Sequence, residues 1–333
     1  MKRKGLLLLV CLLAASLVFT ACGGQTDSKE EKNGEEVVEL TRLLMATGGT
    51  GGTYYPLGGA IAEAWNEHIE GLEVTTQATG ASVENLRLLG SGETELAMAM
   101  NGPAMAAYLG IGDFAGNPID FSALGVIYPE VMQIVAPKGT GIVNVEDLRG
   151  KRVSIGPPGS GTASSAITIL ESFGIDPETD ITKHQDNFTD AAMKLKDGHL
   201  DAAFAVLAVP AGNIVDVTTS TPVNIVNITG DGLNKLLEAD PTFSPYEIPG
   251  GTYEGQDETA YTVSQWAVLY VPNDLPEDLV YQMTKVMYEQ TEQIARTHAR
   301  GDQITLDNAT LGIDPVPFHP GAAKYFKEKG ILE

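Results

Sequence analysis

Cysteine is almost absent from this chain of 333 residues. Its two cysteines, Cys11 and Cys22, both stand near the beginning of the sequence. The remainder of the chain therefore forms no disulfide and offers no thiolate for catalysis or metal binding. Stability must come from buried apolar side chains, and roughly 290 residues are enough to build two lobes with cores of their own.

Basic residues are also scarce. The chain has 21 Lys and Arg against 44 Asp and Glu, which gives a formal net charge of −23 at pH 7. Nucleic-acid binding needs a basic surface, so we expect no nucleic-acid partner. A small anionic ligand is still compatible with this charge, because charges farther away than about 8 Å are largely screened and local donors decide.

Long apolar runs are absent after residue 38, and no stretch there reaches the roughly 20 residues that a membrane span needs. A shorter run, LLLLVCLLAASLVF, follows the basic residues Lys2, Arg3 and Lys4 and precedes TAC. This order is typical of a signal peptide, here over residues 1–21. The cysteine after Thr-Ala resembles the lipobox of bacterial lipoproteins, with Cys22 as the lipidated residue. The alternative is an ordinary signal peptide with an incidental cysteine.

Residues 22–37 are rich in glycine, serine and charged side chains, which is typical of a flexible tether. We therefore expect the folded part to stand outside the cell, held to the membrane by the lipid on Cys22.

Motifs of catalysis are missing as well. The sequence contains no G-x-S-x-G elbow, no H-E-x-x-H helix and no EF-hand loop, and its five histidines are scattered. We expect a protein without cofactor or metal that is not an enzyme. An anchored extracellular hydrolase and a structural or adhesive lipoprotein remain as alternatives from other classes.

Short apolar strands alternate with helical patterns, which predicts an α/β fold. Two strands, Val131–Ala136 and Trp266–Val271, bracket a segment with a βαβ pattern of its own. This arrangement predicts two α/β lobes joined by a two-strand hinge. Lobe 1 would hold residues 38–133 and 268–333, and lobe 2 residues 134–267.

Three loops share one design: each leaves a strand, is rich in glycine, serine or threonine, and opens a helix. They are Thr47–Tyr55, Gly80–Glu84 with Ser82 as the expected helix cap, and Gly156–Ala163. The last one, GPPGSGTA, resembles a phosphate loop but lacks the lysine that reaches the nucleotide phosphates. Because helix N-termini attract anions, these loops predict a carboxylate site. The alternative is that the glycines only make tight turns.

Several long segments resemble the TAXI-type solute receptors of TRAP transporters, among them TGGTGGTYYPLGGAIAEAWNE, GASVENLRLLGSGETELAM, VEDLRGKRVSIGPPGSGT, LKDGHLDAAF and HPGAAKYFKEKGIL. The resemblance runs from about residue 40 to the end. It implies a type II periplasmic-binding-protein fold and delivery of a small organic acid to a cation-coupled membrane permease. Ligands of the family include glutamate-like amino acids and 2-oxoglutarate-like dicarboxylates.

The resemblance also implies a set of ligand-binding residues. From lobe 1 these residues are Gly49, Thr50, Thr53, Tyr54, Ser82 and Asn101. From lobe 2 they are Gly159, Ser160, Gly161, Thr162, Leu207, Ala208 and Val209. For the protein as a whole we expect a monomer.

Three positions depart from the family pattern and make the expected cleft less polar or narrower: Met100, Gly102 and Ala208. No acidic partner for an amino group is evident there, so we expect a keto or hydroxy acid rather than glutamate. The alternative receptor class is a substrate-binding lipoprotein of an ATP-driven importer.

The lipoprotein hypothesis predicts that Cys22→Ala releases the protein from membranes or blocks its processing, because no other residue would carry the anchor. Fractionation and metabolic labelling with a fatty acid measure this. Unchanged labelling and an unchanged membrane-bound yield would contradict the hypothesis.

Overall fold

The computed structural model describes residues 40–333, so the predicted signal peptide, the tether and Cys22 lie outside the described residues. The strands of this part are β1 (Thr41–Ala46), β2 (Leu72–Gln77), β3 (Leu96–Met100), β4 (Ser122–Pro137), β5 (Arg152–Ser154), β6 (Thr182–His184), β7 (Ala202–Leu207), β8 (Val223–Ile225), β9 (Ser244–Ile248) and β10 (Ala260–Val271). The α-helices are α1 (Tyr54–His68), α2 (Ser82–Ser91), α3 (Asn101–Leu109), α4 (Gly161–Ser172), α5 (Phe188–Lys196), α6 (Gly212–Thr218), α7 (Gly230–Ala239), α8 (Glu277–Glu289), α9 (Thr291–Thr297) and α10 (Pro320–Glu328). The predicted α/β class is confirmed.

The strands form one mixed sheet in the order β2-β1-β3-β10-β4-β7-β5-β6, with β8 beside β4 and β9 beside β10. Strands β1, β2 and β3 pair in parallel, as do β5, β6 and β7. The long strands β4 and β10 run antiparallel to each other between these two groups. They are the two predicted crossing strands, and both are longer than the apolar stretches that predicted them.

The position of a strand in the sheet explains its sequence. Strand β2 lies at one edge and alternates, with Leu72 and Val74 buried and Glu73 exposed. Strand β4 is almost wholly buried, and its run SALGVIYPEVMQIVAP is correspondingly apolar. Alternation marks a strand with one solvated face, whereas a continuous apolar run marks a strand covered on both faces.

Buried side chains form four clusters, which separate along β4 and β10. Two clusters hold side chains of β1–β3 and of the C-terminal helices, and the other two hold side chains of β5, β7 and the middle of the chain. Met100 and Ala208 are exceptions, since each packs in a cluster of the opposite lobe. We keep the names lobe 1 and lobe 2 for these halves. The proposed lobe boundaries themselves remain a prediction.

Lobe 1 uses both ends of the described chain. On α1 the residues Leu57, Ile61 and Trp65, spaced four apart, are fully buried. The indole Nε1 of Trp65 donates a hydrogen bond of 2.8 Å to the carbonyl oxygen of Met283 on α8. This buried contact joins residues 218 positions apart and closes the lobe.

The fully buried Asn85 on α2 organises the loops of lobe 1. Its Nδ2 donates to the carbonyl oxygens of Thr47 (2.5 Å) and Met98 (2.7 Å). Its Oδ1 accepts a hydrogen bond of 2.5 Å from the hydroxyl of Thr79. One side chain therefore ties together the segments that follow β1 and β2 and the strand β3.

Asn85→Leu is expected to destabilise the protein by about 1–3 kcal/mol. The carbonyl oxygens of Thr47 and Met98 would lose their hydrogen-bond donor in the protein interior, which costs free energy. The matched control is Asn234→Leu on the exposed side of α7, which should stay within about 0.5 kcal/mol of the parent. Urea denaturation measures both variants. Equal stability of the two variants would contradict the role given to Asn85.

Candidate functional site

One cavity of about 380 Å³ lies where the two lobes face each other. The helices α1, α2, α4 and α5 each place their first residue in its lining. Two of these helices belong to lobe 1 and two to lobe 2. Since each helix N-terminus carries unpaired N–H groups and about half a positive charge, the cavity collects four such ends.

The two helices of lobe 1 begin without a side-chain cap. Thr53 precedes α1 and Ala81 precedes α2, and neither makes a capping hydrogen bond. The predicted cap, Ser82, instead accepts a hydrogen bond of 3.1 Å from the backbone N–H of Met100. Ser82 therefore links α2 to the end of β3. In the first turn of α2 the N–H of Glu84 already donates to the carbonyl oxygen of Gly159, and Pro56 in the first turn of α1 has no N–H. Each turn thus keeps its first two N–H groups for another acceptor.

The two helices of lobe 2 are capped. The hydroxyl of Ser160 accepts from the N–H of Ala163 at 3.0 Å and donates to the carbonyl oxygen of Pro157 at 2.6 Å. Asn187 caps α5 by accepting from the N–H of Asp190. The hydroxyl proton of Ser160 is therefore already used, and this residue acts in the structure as a helix cap.

Nine of the predicted ligand-binding residues line the cavity: Gly49, Thr50, Thr53, Tyr54, Ser82, Ser160, Gly161, Thr162 and Leu207. The other four are not in its lining: Asn101, Gly159, Ala208 and Val209. The structure thus brings the three predicted loops together around one space. The roles of these residues in ligand binding remain a prediction.

The four residues outside the lining have structural contacts of their own. The amide of Asn101 donates to Gly312 and accepts from the N–H of Trp266. The carbonyl oxygen of Gly159 accepts from the N–H of Glu84 at 3.0 Å. Ala208 donates from its backbone to the Thr53 hydroxyl (3.4 Å), and the Val209 carbonyl accepts from Arg300.

These bonds show that the lobes touch around the cavity. The N–H of Glu84 in lobe 1 donates to the carbonyl oxygen of Gly159 in lobe 2. The hydroxyl of Ser164 in lobe 2 donates to the carboxylate of Asp113 in lobe 1 at 2.5 Å. A β-carbon on Gly161 would lie 2.5 Å from the sulfur of Met100 and 2.8 Å from the hydroxyl oxygen of Ser82. The described conformation is therefore closed, and Gly161 has no side chain because lobe 1 occupies that space.

Several lining residues lie outside the predicted loops, among them residues 187–190 at the start of α5 and Glu130 on β4, which is only 4% exposed. The phenol of Tyr54 donates to its Oε2 at 2.7 Å, and the phenol of Tyr128 donates to its Oε1 at 2.9 Å. Burial raises the pKa of Glu130 to about 7, although the two hydrogen bonds act in the opposite direction. The signal in the sequence was a lone acidic residue within the apolar run VIYPEVMQIV.

The charges of the lining are all acidic. Within the described chain, the cavity is lined by the buried Glu130 and the exposed Asp190 but by no Lys, Arg or His. Positive potential comes only from helix N-termini, and negative charge comes from carboxylates. The cavity can thus bind an anionic group near the helix N-termini and a hydrogen-bond donor or cationic group near the carboxylates.

Within residues 40–333, no three acidic, histidine or cysteine side chains are grouped closely enough to hold a metal ion. Every helix in this part of the chain is too short or too polar to qualify as a membrane span.

The fold is that of periplasmic solute-binding proteins, and solved structures of that class superpose on most of the chain. One is MatC from Rhodopseudomonas palustris with bound malate, with a TM-score of 0.52, 16% identity and coverage of 87% of this chain and 97% of that one. Another is described as a putative L-cystine ABC transporter from Listeria monocytogenes, with a TM-score of 0.51, 12% identity and coverage of 81% and 99%. The predicted periplasmic-binding-protein fold is confirmed.

The chain belongs to the NMT1-like family, whose model matches residues 45–330. This match supports the receptor class that the sequence resemblance implied. The narrower TAXI and TRAP assignment is not confirmed by it and stays a prediction.

Gly161→Val is expected to prevent closure, because the new side chain would meet Met100 and Ser82 across the cleft. The control is Gly212→Val at the first position of α6, where a β-carbon meets nothing within 4 Å. Small-angle scattering with saturating ligand should give a larger radius of gyration for the first variant and the parent value for the control. A parent-like radius and affinity for Gly161→Val would refute the closed-cleft interpretation.

Proposed function

We propose that this protein is an extracytoplasmic solute receptor that captures a small organic acid between its two lobes and delivers it to a membrane transporter. The observation that carries this proposal is the convergence of four helix N-termini, two from each lobe, on one cavity. No catalytic constellation is needed for such a function, since the chemistry consists of binding and release.

The size and the donors of the cavity suit a small carboxylate. A volume of about 380 Å³ falls in the range of small-molecule sites. The uncapped first turns of α1 and α2 offer N–H donors from lobe 1, and Thr162 offers a hydroxyl from lobe 2. A hydrogen bond to a charged group contributes about 1.5–3 kcal/mol, so three or four of them support micromolar binding after ordering costs.

Closure of the lobes follows from the same arrangement. A ligand that touches both lobes gains its full binding energy only in the closed conformation, so binding shifts the population toward that state. Strands β4 and β10 form the hinge, because they are the long strands that run from one lobe to the other. The transporter would then distinguish loaded from empty receptor by the closed surface.

Two classes of membrane transporter, an ATP-driven importer and a cation-coupled permease, are compatible with this receptor function. The solved structures of similar fold include one described as a putative ABC transporter component, which favours an ATP-driven importer. The TAXI-type segments of the sequence favour a cation-coupled TRAP permease. We give the ATP-driven importer precedence, and a lipid anchor on Cys22 is compatible with either partner.

A thermal-shift panel of organic acids and amino acids on the full-length protein in detergent tests the receptor function. The ligand should raise the stability by about 2.7 kcal/mol at a hundred times its Kd, because it binds only the folded state. ATP serves as a negative control, since the loop at Gly161 lacks the phosphate-binding lysine. A panel in which no small carboxylate stabilises the protein would contradict the proposal.

Uptake of the labelled ligand by cells separates the two transporter classes. Depletion of ATP at a maintained ion gradient should stop uptake through an ATP-driven importer. Collapse of the ion gradient at constant ATP should stop uptake through a cation-coupled permease.

A further inference from the structure

Glu130 is the charged side chain that the proposed carboxylate site does not use. It lies on β4 opposite Gln265 of β10, at the level where the lobes meet. Its side chain is buried and faces the cavity. Among residues 40–333 no Lys, Arg or His forms an ion pair with it.

Two phenols hold this carboxylate in place. Tyr54 donates to one oxygen and Tyr128 to the other, and the two rings meet edge to face with centroids 6.3 Å apart. Burial and the neighbouring carboxylate raise the pKa of both phenols well above the usual range, so they remain protonated donors. Each carboxylate oxygen accepts up to two hydrogen bonds, so one further acceptor site per oxygen is left for the cavity.

A buried ionised carboxylate is costly unless a positive charge compensates it. The two phenols supply hydrogen bonds but no charge, and the helix N-termini already suit an anion. The compensating charge can therefore arrive with the solute itself.

We propose that Glu130 is a specificity-determining residue that binds a cationic nitrogen of the solute, so that the solute carries an ammonium group as well as a carboxylate. This inference rests on the proposed receptor function and narrows its ligand class. It replaces the expectation of a keto or hydroxy acid, which assumed that the cleft lacked an acidic partner. Apolar residues of the lining, Met100, Phe188, Val206 and Leu207, would cover the remainder of such a solute.

The protonation state of Glu130 should change when such a solute binds, and this change can be measured. Burial raises the pKa of Glu130 to about 7, so both protonation states are accessible near neutral pH. An ammonium group beside it lowers the pKa, since an opposite charge favours the ionised form. Binding near pH 6 then releases a proton, and affinity falls up to tenfold per pH unit below about 7. The facing titratable groups, Tyr54 and Tyr128, stay protonated in this range, and Asp190 is the other acid of the lining.

A solute that lacks the nitrogen should change the pKa of Glu130 in the opposite direction. A protonated Glu130 would then donate a hydrogen bond to a keto or carboxylate oxygen. Its pKa would rise on binding, a proton would be taken up, and affinity would fall above about pH 7 instead.

Matched solute pairs that differ only at this group provide the test: L-glutamate with 2-oxoglutarate, L-leucine with 4-methyl-2-oxovalerate, and L-alanine with pyruvate. Calorimetry of the full-length protein in buffers of different ionisation enthalpy measures affinity and proton exchange together. We expect the amino member of a pair to bind with proton release at pH 6, and its oxo partner to bind at least about tenfold more weakly.

Glu130→Gln should lower the affinity for the amino member by about 10- to 150-fold, because a charged hydrogen bond is lost. The control is Glu238→Gln, an exposed residue of α7. The proton-exchange measurement on the parent protein needs no variant and decides the question even if Glu130→Gln fails to fold.

An oxo acid that binds at least as tightly as its amino partner, with proton uptake, would overturn the inference and leave the receptor function standing. An amino acid that binds equally well to the parent and to folded Glu130→Gln would also overturn it. If no member of any pair binds the parent protein although a carboxylate without a nitrogen from the thermal-shift panel does, the inference is overturned and the receptor function stands.

Discussion

The antiparallel pairing of β4 with β10 is the constraint on which the remainder of the structure depends. These two strands stand in the sheet between the parallel strands of lobe 1 and those of lobe 2. Because both strands are almost fully buried, any motion of the lobes must bend this pair rather than separate it. Glu130 of β4 lines the cavity, so the pair of crossing strands contributes this residue to the site.

In the proposed function the cavity binds an anion through the backbone rather than through basic side chains. Helices α1, α2, α4 and α5 begin at it, and its lining holds no basic residue in the described chain. A net charge of −23 is therefore no obstacle to binding a carboxylate, since helix ends act within the first turn and distant charges are screened. Close approach of the backbones requires residues without side chains, as Gly161 illustrates against Met100.

Two buried polar side chains, Asn85 and Glu130, differ in how fully their hydrogen-bonding groups are used. Asn85 is satisfied on every side by the loops of lobe 1, so its contribution is to hold the uncapped ends of α1 and α2 in place. Glu130 is satisfied by two phenols but keeps acceptor capacity toward the cavity. Asn85 thus connects the loops of lobe 1, and the proposed solute nitrogen would use the remaining acceptor capacity of Glu130.

Local patterns in the sequence were sufficient for the α/β class, for the two long strands β4 and β10, and for the three glycine-rich loops. These depend on periodicity and on turn chemistry, which act over a few residues. Other roles were decided only by the tertiary structure. The hydroxyl of Ser160 caps α4, and the amide of Asn101 donates to the carbonyl oxygen of Gly312. The carboxylate of Glu130 lines the cavity and accepts from the phenol of Tyr54. Such roles depend on partners as far as 211 positions away along the chain, so no window of sequence contains them.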